Sequence, residues 1–96
     1  RDNYVLKARL IEKLLTESLL SLPGILSVRG KGAMLAAELD SQKSKEIAKT
    51  ATERGLLVNP ITSSALRFTP PLTTTPSEIE EAIDILKGVL NDTTLT

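Results

Sequence analysis

The sequence offers few side chains that could take part in chemistry. Among its 96 residues there is no His and no Cys, so the usual general base, the commonest metal ligands and the best nucleophile are missing. Carboxylates, hydroxyls, Lys, Arg and the single tyrosine, Tyr4, remain. Any chemistry in this chain must therefore use these groups, and we expect no metal site.

One arginine occupies a position suited to binding an acidic group. Arg67 lies between Leu66 and Phe68, in a short strand-like segment that leads into Pro70 and Pro71. Side chains alternate along a strand, so Arg67 should point away from its two apolar neighbours. Its planar guanidinium can bind a carboxylate through two parallel hydrogen bonds. The pattern leaves two interpretations open, a carboxylate-binding residue or an ordinary surface arginine.

Two weaker candidates are better explained by structure. The Gly-Lys-Gly segment at 30–32 could cradle a phosphate, but a strand follows it and Leu35 replaces the third Gly of a dinucleotide fingerprint. A hairpin turn is the favoured interpretation. Acidic residues cluster at 78–84, at the start of the last predicted helix, where the helix dipole favours negative charge. We interpret them as solvated surface.

Composition excludes several classes of function. Twelve basic residues balance 12 acidic ones, and aromatic residues make up 2% of the chain, so neither nucleic acid nor an anionic membrane is an expected partner. No apolar run approaches the 18 or so residues that span a bilayer. The absence of Cys fits a reducing cytoplasm. Because the chain opens at Arg1 without a Met, we expect a piece of a longer protein.

Hydrophobic spacing and turn residues predict seven elements in the order α-β-β-α-β-β-α. Their predicted ranges are helices at 2–22, 42–54 and 76–90, and strands at 25–29, 33–39, 56–58 and 65–68. A cap at Asp40-Ser41 should start the second helix. A capping box formed by Thr75 and Glu78 should start the third.

These elements predict an α+β fold, a small and mostly antiparallel sheet with helices on one face. We expect 1–96 to form a single small domain, with a frayed tail at 91–96. The segment at 33–39 is apolar on both faces until Glu38, which is typical of a central strand or of one covered by a partner domain.

Several segments together resemble the C-terminal small domain of a subgroup of pyridoxal-phosphate aminotransferases. This subgroup includes acetylornithine, ornithine and 4-aminobutyrate aminotransferases. The resemblance extends from about Leu10 to Leu90 and rests on Val28-Arg29-Gly30-Lys31-Gly32-Ala33-Met34-Leu35, Glu38-Leu39, Gly55-Leu56-Leu57-Val58-Asn59 and Leu66-Arg67-Phe68-Thr69-Pro70-Pro71-Leu72.

The resemblance implies that this chain is a domain of a fold-type I enzyme. The whole enzyme would be a cytoplasmic homodimer that transfers amino groups between amino acids and oxo acids. For the acetylornithine enzymes these are acetylornithine and 2-oxoglutarate, in arginine biosynthesis. It assigns Arg67 to the substrate carboxylate. Pyridoxal 5'-phosphate and the lysine that binds it would belong to a large domain of the same chain. The resemblance therefore implies no catalytic and no cofactor-binding residue here, and the 96 residues alone should be inactive.

The resemblance has departures, and other classes of protein compete with it. Ala33, Ala36 and Ala37 stand where the subgroup usually has Leu, Gly and Ile, which makes the substrate within the subgroup less certain. A free-standing α/β module that binds a ligand or another subunit is the alternative. An RNA-binding sheet would need several stacking aromatics on its strands, and Phe68 is the only one predicted there.

Overall fold

A computed structural model describes residues 2–94 and contains the seven elements in the predicted order. They are α1 (Asp2–Leu20), β1 (Ile25–Lys31), β2 (Met34–Leu39), α2 (Ser44–Glu53), β3 (Asn59–Thr62), β4 (Ala65–Phe68) and α3 (Pro76–Thr94). Each helix presents apolar residues at steps of three and four to the interior, and these include Ile11, Leu15 and Leu19 of α1.

The four strands form one antiparallel sheet in the order β1-β2-β4-β3. The predicted central position of the 33–39 segment is confirmed, because β2 pairs along both of its edges. α1 packs on β1 and β2, α2 packs on β3 and β4, and α3 contacts both other helices. The core lies between sheet and helices, where Leu35, Ala37, Leu66 and Phe68 are buried. The predicted α+β fold is confirmed.

The capping box at the start of α3 forms as predicted. The Thr75 backbone N–H donates to Glu78 Oε1 at 2.9 Å, and the Glu78 N–H donates to Thr75 Oγ1 at 3.2 Å. Pro76 occupies the first helical position, where a missing N–H has no intrahelical partner to lose. Two of the amide groups at the helix start are thereby satisfied.

The hairpin between β1 and β2 requires its two glycines. Gly30 has φ 131° and Gly32 has φ 62°, values that L-residues with side chains rarely adopt. A Cβ on Gly30 would lie 2.2 Å from the Met34 carbonyl oxygen. The Gly32 N–H donates to Glu12 Oε1 at 2.5 Å, which attaches the hairpin to α1.

The second helix starts later than predicted. It begins at Ser44 after Lys43, which provides no side-chain cap, so the predicted cap at Asp40-Ser41 is wrong. The β3–β4 turn draws this connection toward the sheet: the Ser44 N–H donates to the Ser63 carbonyl at 3.1 Å, and its hydroxyl donates to the Thr62 carbonyl. These bonds tie the connection to the β3–β4 turn at Ser44, and the residues before Ser44 are not helical.

The third strand is displaced along the chain. Positions 56–58 were predicted to form it, but β3 is Asn59–Thr62, in the segment predicted as a loop. Gly55, at φ 95°, ends α2, and the Leu56 N–H donates back to the Ala51 carbonyl at 2.8 Å. Because the Leu56 N–H is bonded to the end of α2 in this helix-terminating motif, Leu56 cannot donate it to a neighbouring strand, and β3 starts later. Pro60 is tolerated because β3 lies at the sheet edge.

The last helix is longer than predicted. Asn91 to Thr94 continue α3, whereas the sequence suggested a frayed tail over 91–96; positions 95 and 96 lie outside the described residues. The extension is bonded to other elements, since Arg54 Nη2 lies 2.6 Å from Asp92 Oδ2 and Lys43 Nζ donates to the Thr93 carbonyl at 3.1 Å.

We predict that Thr75→Ala lowers the free energy of unfolding by about 1 kcal/mol, because it removes the side-chain oxygen of the capping box. Urea titration followed by circular dichroism would measure it. Thr73→Ala, an exposed threonine before the helix, is the control and should change stability little. Equal stability of both variants and the parent would contradict the prediction.

We also predict that Gly30→Ala destabilises the domain more than Gly55→Ala. Both positions have positive φ, at a cost of roughly 1–2 kcal/mol for an L-residue. Only Gly30 adds a backbone clash, since nothing lies within 4 Å of a Cβ on Gly55. Thermal unfolding of the two variants isolates the clash, and equal losses would show that the hairpin can relax around it.

Candidate functional site

The face of the sheet opposite the helices carries a row of side chains drawn from all four strands. Ladder pairs join Arg29 of β1 to Ala36 of β2, Ala36 to Arg67 of β4, and Arg67 to Asn59 of β3. Residues directly opposite one another in an antiparallel ladder share a face. The two arginines therefore lie on either side of Ala36, about 10 Å apart at the backbone given the usual strand spacing.

Arg67 has the orientation that the sequence predicted. Leu66 and Phe68 are 0% and 5% exposed in the core, while Arg67 is exposed on the opposite face. Within residues 2–94 its guanidinium makes no salt bridge and no hydrogen bond. An exposed guanidinium without an internal counterion is well suited to bind an external carboxylate.

Arg29, unlike Arg67, has an acidic neighbour. Arg29 Nη1 lies 3.6 Å from Glu38 Oε1, and Glu38 Oε2 accepts a hydrogen bond from the Ser64 hydroxyl at 2.5 Å. Sequence reasoning did not identify this network. The available signal was Glu38 itself, the one charged residue in an otherwise apolar strand, but its partners could be named only once the strand register was known.

Positive charge predominates on this open face. Arg29, Lys31 and Arg67 share it with a single acidic strand residue, Glu38, according to the strand register. The chain as a whole has a formal net charge of zero, and this total concealed the local excess. A concentration of positive charge attracts anionic groups to the face.

The Gly-Lys-Gly segment does not form a phosphate cradle. Gly32 uses its N–H to bond Glu12, and Gly30 approaches the Met34 carbonyl oxygen rather than leaving open space. Lys31 forms the last residue of β1 and is exposed. The segment belongs to the β1–β2 hairpin, but the predicted turn is displaced: Gly30 and Lys31 pair with β2 as part of β1, and the turn lies at 32–33.

The described part of the chain does not fit a pyridoxal-phosphate site. Six of the seven lysines are exposed, and the seventh, Lys43, is half-buried with its Nζ bonded to the Thr93 carbonyl. A lysine that binds a carbonyl cofactor needs a desolvated pocket, which none of these positions offers.

Residues 2–94 contain neither a candidate metal site nor a candidate membrane span. No three His, Cys, Asp or Glu side chains are grouped as metal ligands within this range. None of its helices combines the length and apolar character needed to cross a bilayer. The arrangement as described can bind and orient an acidic ligand through Arg67.

The chain also matches a known protein family. Residues 1–90 match the profile of the class-III aminotransferases. The chain therefore belongs to the class-III aminotransferase family, and its helix-covered sheet is a domain of that family.

Among curated relatives are two acetylornithine aminotransferases. The protein from Caldanaerobacter subterraneus is 44% identical over 68 residues, which are 71% of this chain and 17% of that protein. The protein from Bacillus subtilis is 44% identical over 74 residues, which are 77% of this chain and 19% of the relative. This chain thus spans about a fifth of the length of the relatives it matches.

Solved structures show the same fold. A lysine aminotransferase from M. tuberculosis in the internal aldimine form superimposes with a TM-score of 0.74 at 28% identity, covering 93% of this chain and 21% of that one. An engineered omega transaminase superimposes with a TM-score of 0.84 at 24% identity, and the matched region is 98% of this chain and 24% of the transaminase. The latter bears on the fold alone.

Proposed function

We propose that this chain is the C-terminal small domain of an acetylornithine aminotransferase. The whole enzyme would transfer an amino group between N-acetylornithine and 2-oxoglutarate in arginine biosynthesis. The acetylornithine aminotransferases among the relatives, at 36–44% identity, support this choice of substrate.

The domain's contribution would be to bind the substrate carboxylate through Arg67. The observation that carries this assignment is the exposed Arg67 guanidinium, which has no salt bridge or hydrogen bond within residues 2–94 and lies beside the rigid Pro70-Pro71 connection. A pyridoxal enzyme leaves the electron-sink chemistry to its cofactor and needs the protein to orient the substrate. A carboxylate clamp on a small domain meets that need without a nucleophile or a general base.

The remaining parts of the proposal concern the whole protein. Pyridoxal 5'-phosphate and its lysine would be held by a large domain of the same polypeptide, and the enzyme would be a homodimer. The family membership supports the cofactor. A cytoplasmic location is supported by the absence of Cys in this chain.

A related aminotransferase of the ornithine or 4-aminobutyrate type is the second candidate. It is favoured by the structural likeness to a lysine aminotransferase and by Ala36 and Ala37, which replace the subgroup's usual residues in the strand beside Arg67. Activity measured with N-acetylornithine, ornithine and 4-aminobutyrate as amino donors distinguishes the two candidates.

We predict that Arg67→Ala in the full-length enzyme lowers kcat/KM for 2-oxoglutarate and N-acetylornithine by about 10- to 150-fold. The reason is the loss of a charge-assisted hydrogen bond worth roughly 1.5–3 kcal/mol. Steady-state kinetics would measure it, with the cofactor absorbance unchanged. Arg9→Ala, which removes an exposed arginine of α1, is the matched control. Unchanged kinetics of Arg67→Ala would refute the assignment.

We further predict that the 96-residue chain, mixed with an equimolar amount of pyridoxal 5'-phosphate, shows no stoichiometric absorbance band of a lysine adduct. Its lysines lie on open surface rather than in a desolvated pocket. An absorbance titration at neutral pH is sufficient. A saturable band at one equivalent would place part of the cofactor site in this domain.

A further inference from the structure

Glu38 stands between two arginines on the open face and contacts only one of them. The register pairs Arg29 and Arg67 with Ala36 from opposite sides, and Glu38 is two residues further along the same strand. Glu38 is thus the diagonal neighbour of both arginines. Diagonal neighbours in an antiparallel sheet are about 7–8 Å apart, within reach of long side chains. By position alone, Glu38 could neutralise either arginine.

Both carboxylate oxygens of Glu38 already have partners. Oε1 lies 3.6 Å from Arg29 Nη1, and Oε2 accepts the hydroxyl hydrogen of Ser64 at 2.5 Å. Ser64 is itself fixed by its backbone, because its carbonyl accepts from the Leu39 N–H at 2.7 Å and its N–H donates to Thr62 Oγ1 at 3.2 Å. The Ser64 hydroxyl that bonds Glu38 is therefore held in place by the backbone hydrogen bonds of the β3–β4 turn.

We propose that Ser64 is a positioning residue that holds Glu38 toward Arg29 and so keeps Arg67 available to a substrate carboxylate. A Glu38 oxygen without Ser64 would have Arg67 as its nearest diagonal cation after Arg29. An internal carboxylate on Arg67 would compete with the substrate for the same N–H groups. This inference rests on the proposed function, which assigns the substrate carboxylate to Arg67.

The first test is Ser64→Ala in the full-length enzyme. The released Glu38 oxygen competes with the substrate for Arg67, so KM for 2-oxoglutarate should rise. The expected rise is about threefold to fivefold, because a partly exposed ion pair between Glu38 and Arg67 would be weak. The value of kcat should stay near that of the parent, because saturating substrate displaces an internal competitor. An unchanged KM overturns the proposal.

The second test is rescue by Glu38→Gln. A carboxamide carries no charge to compete for Arg67, so the double variant Ser64→Ala with Glu38→Gln should return KM to the parent value. Mere loosening of the β3–β4 turn would not be repaired by a change on β2. A raised KM that persists in the double variant therefore overturns the proposal.

A neighbouring serine provides the matched control. Ser63 donates its hydroxyl to Gln42 Oε1 at 2.8 Å and has no bond to Glu38. Ser63→Ala removes a hydroxyl from the same turn and should leave KM unchanged. An equal rise in KM for Ser63→Ala would mean that the turn, rather than the bond to Glu38, controls the site, and would overturn the proposal.

If Ser64→Ala does not fold, the variant Arg29→Gln tests the same proposal. Arg29→Gln releases the other oxygen of Glu38 and should raise KM in the same range, again with rescue by Glu38→Gln. Failure of that rise or of its rescue overturns the proposal. If Arg67→Ala leaves KM unchanged, the proposed role of Arg67 in binding the substrate carboxylate fails. If Arg67→Ala raises KM and Ser64→Ala does not, only the inference about Ser64 fails.

Discussion

The antiparallel pairing of β2 with strands on both of its edges is the constraint on which the rest of the structure depends. Side chains alternate along a strand, so this pairing sends Leu35, Ala37 and Leu39 to one face and Ala36 and Glu38 to the other. A slip of one residue would exchange the two faces. The apolar face is covered by α1 and α2, with α3 packed against both of these helices, and the charged face is left open.

On the opposite face, the same pairing brings together side chains from strands that are distant in sequence. Arg29 and Arg67 are 38 positions apart, yet both are paired with Ala36. Arg29 forms a salt bridge with Glu38, whereas Arg67 forms none within residues 2–94. A family that leaves its bond chemistry to a cofactor can use such a domain, because orientation of an acidic substrate requires a fixed cation rather than a reactive group.

Strong local signals in the sequence were reliable guides to the fold. The capping box at Thr75 formed as predicted, since it depends on residues within one helical turn. The errors occurred where distant contacts outweighed local preference. Ser44 bonds the β3–β4 turn and shortens α2, while the contact of Asp92 with Arg54 accompanies the longer α3.

The sequence by itself determined the residues available for chemistry and the direction in which Arg67 points. Those follow from composition and from the two-residue period of a strand, both of which are local. Only the tertiary structure decided that Arg29 lies across Ala36 from Arg67, and that Glu38 contacts Arg29 and Ser64 instead of Arg67. Register between distant strands is set by the burial of a whole sheet face, which no short segment specifies.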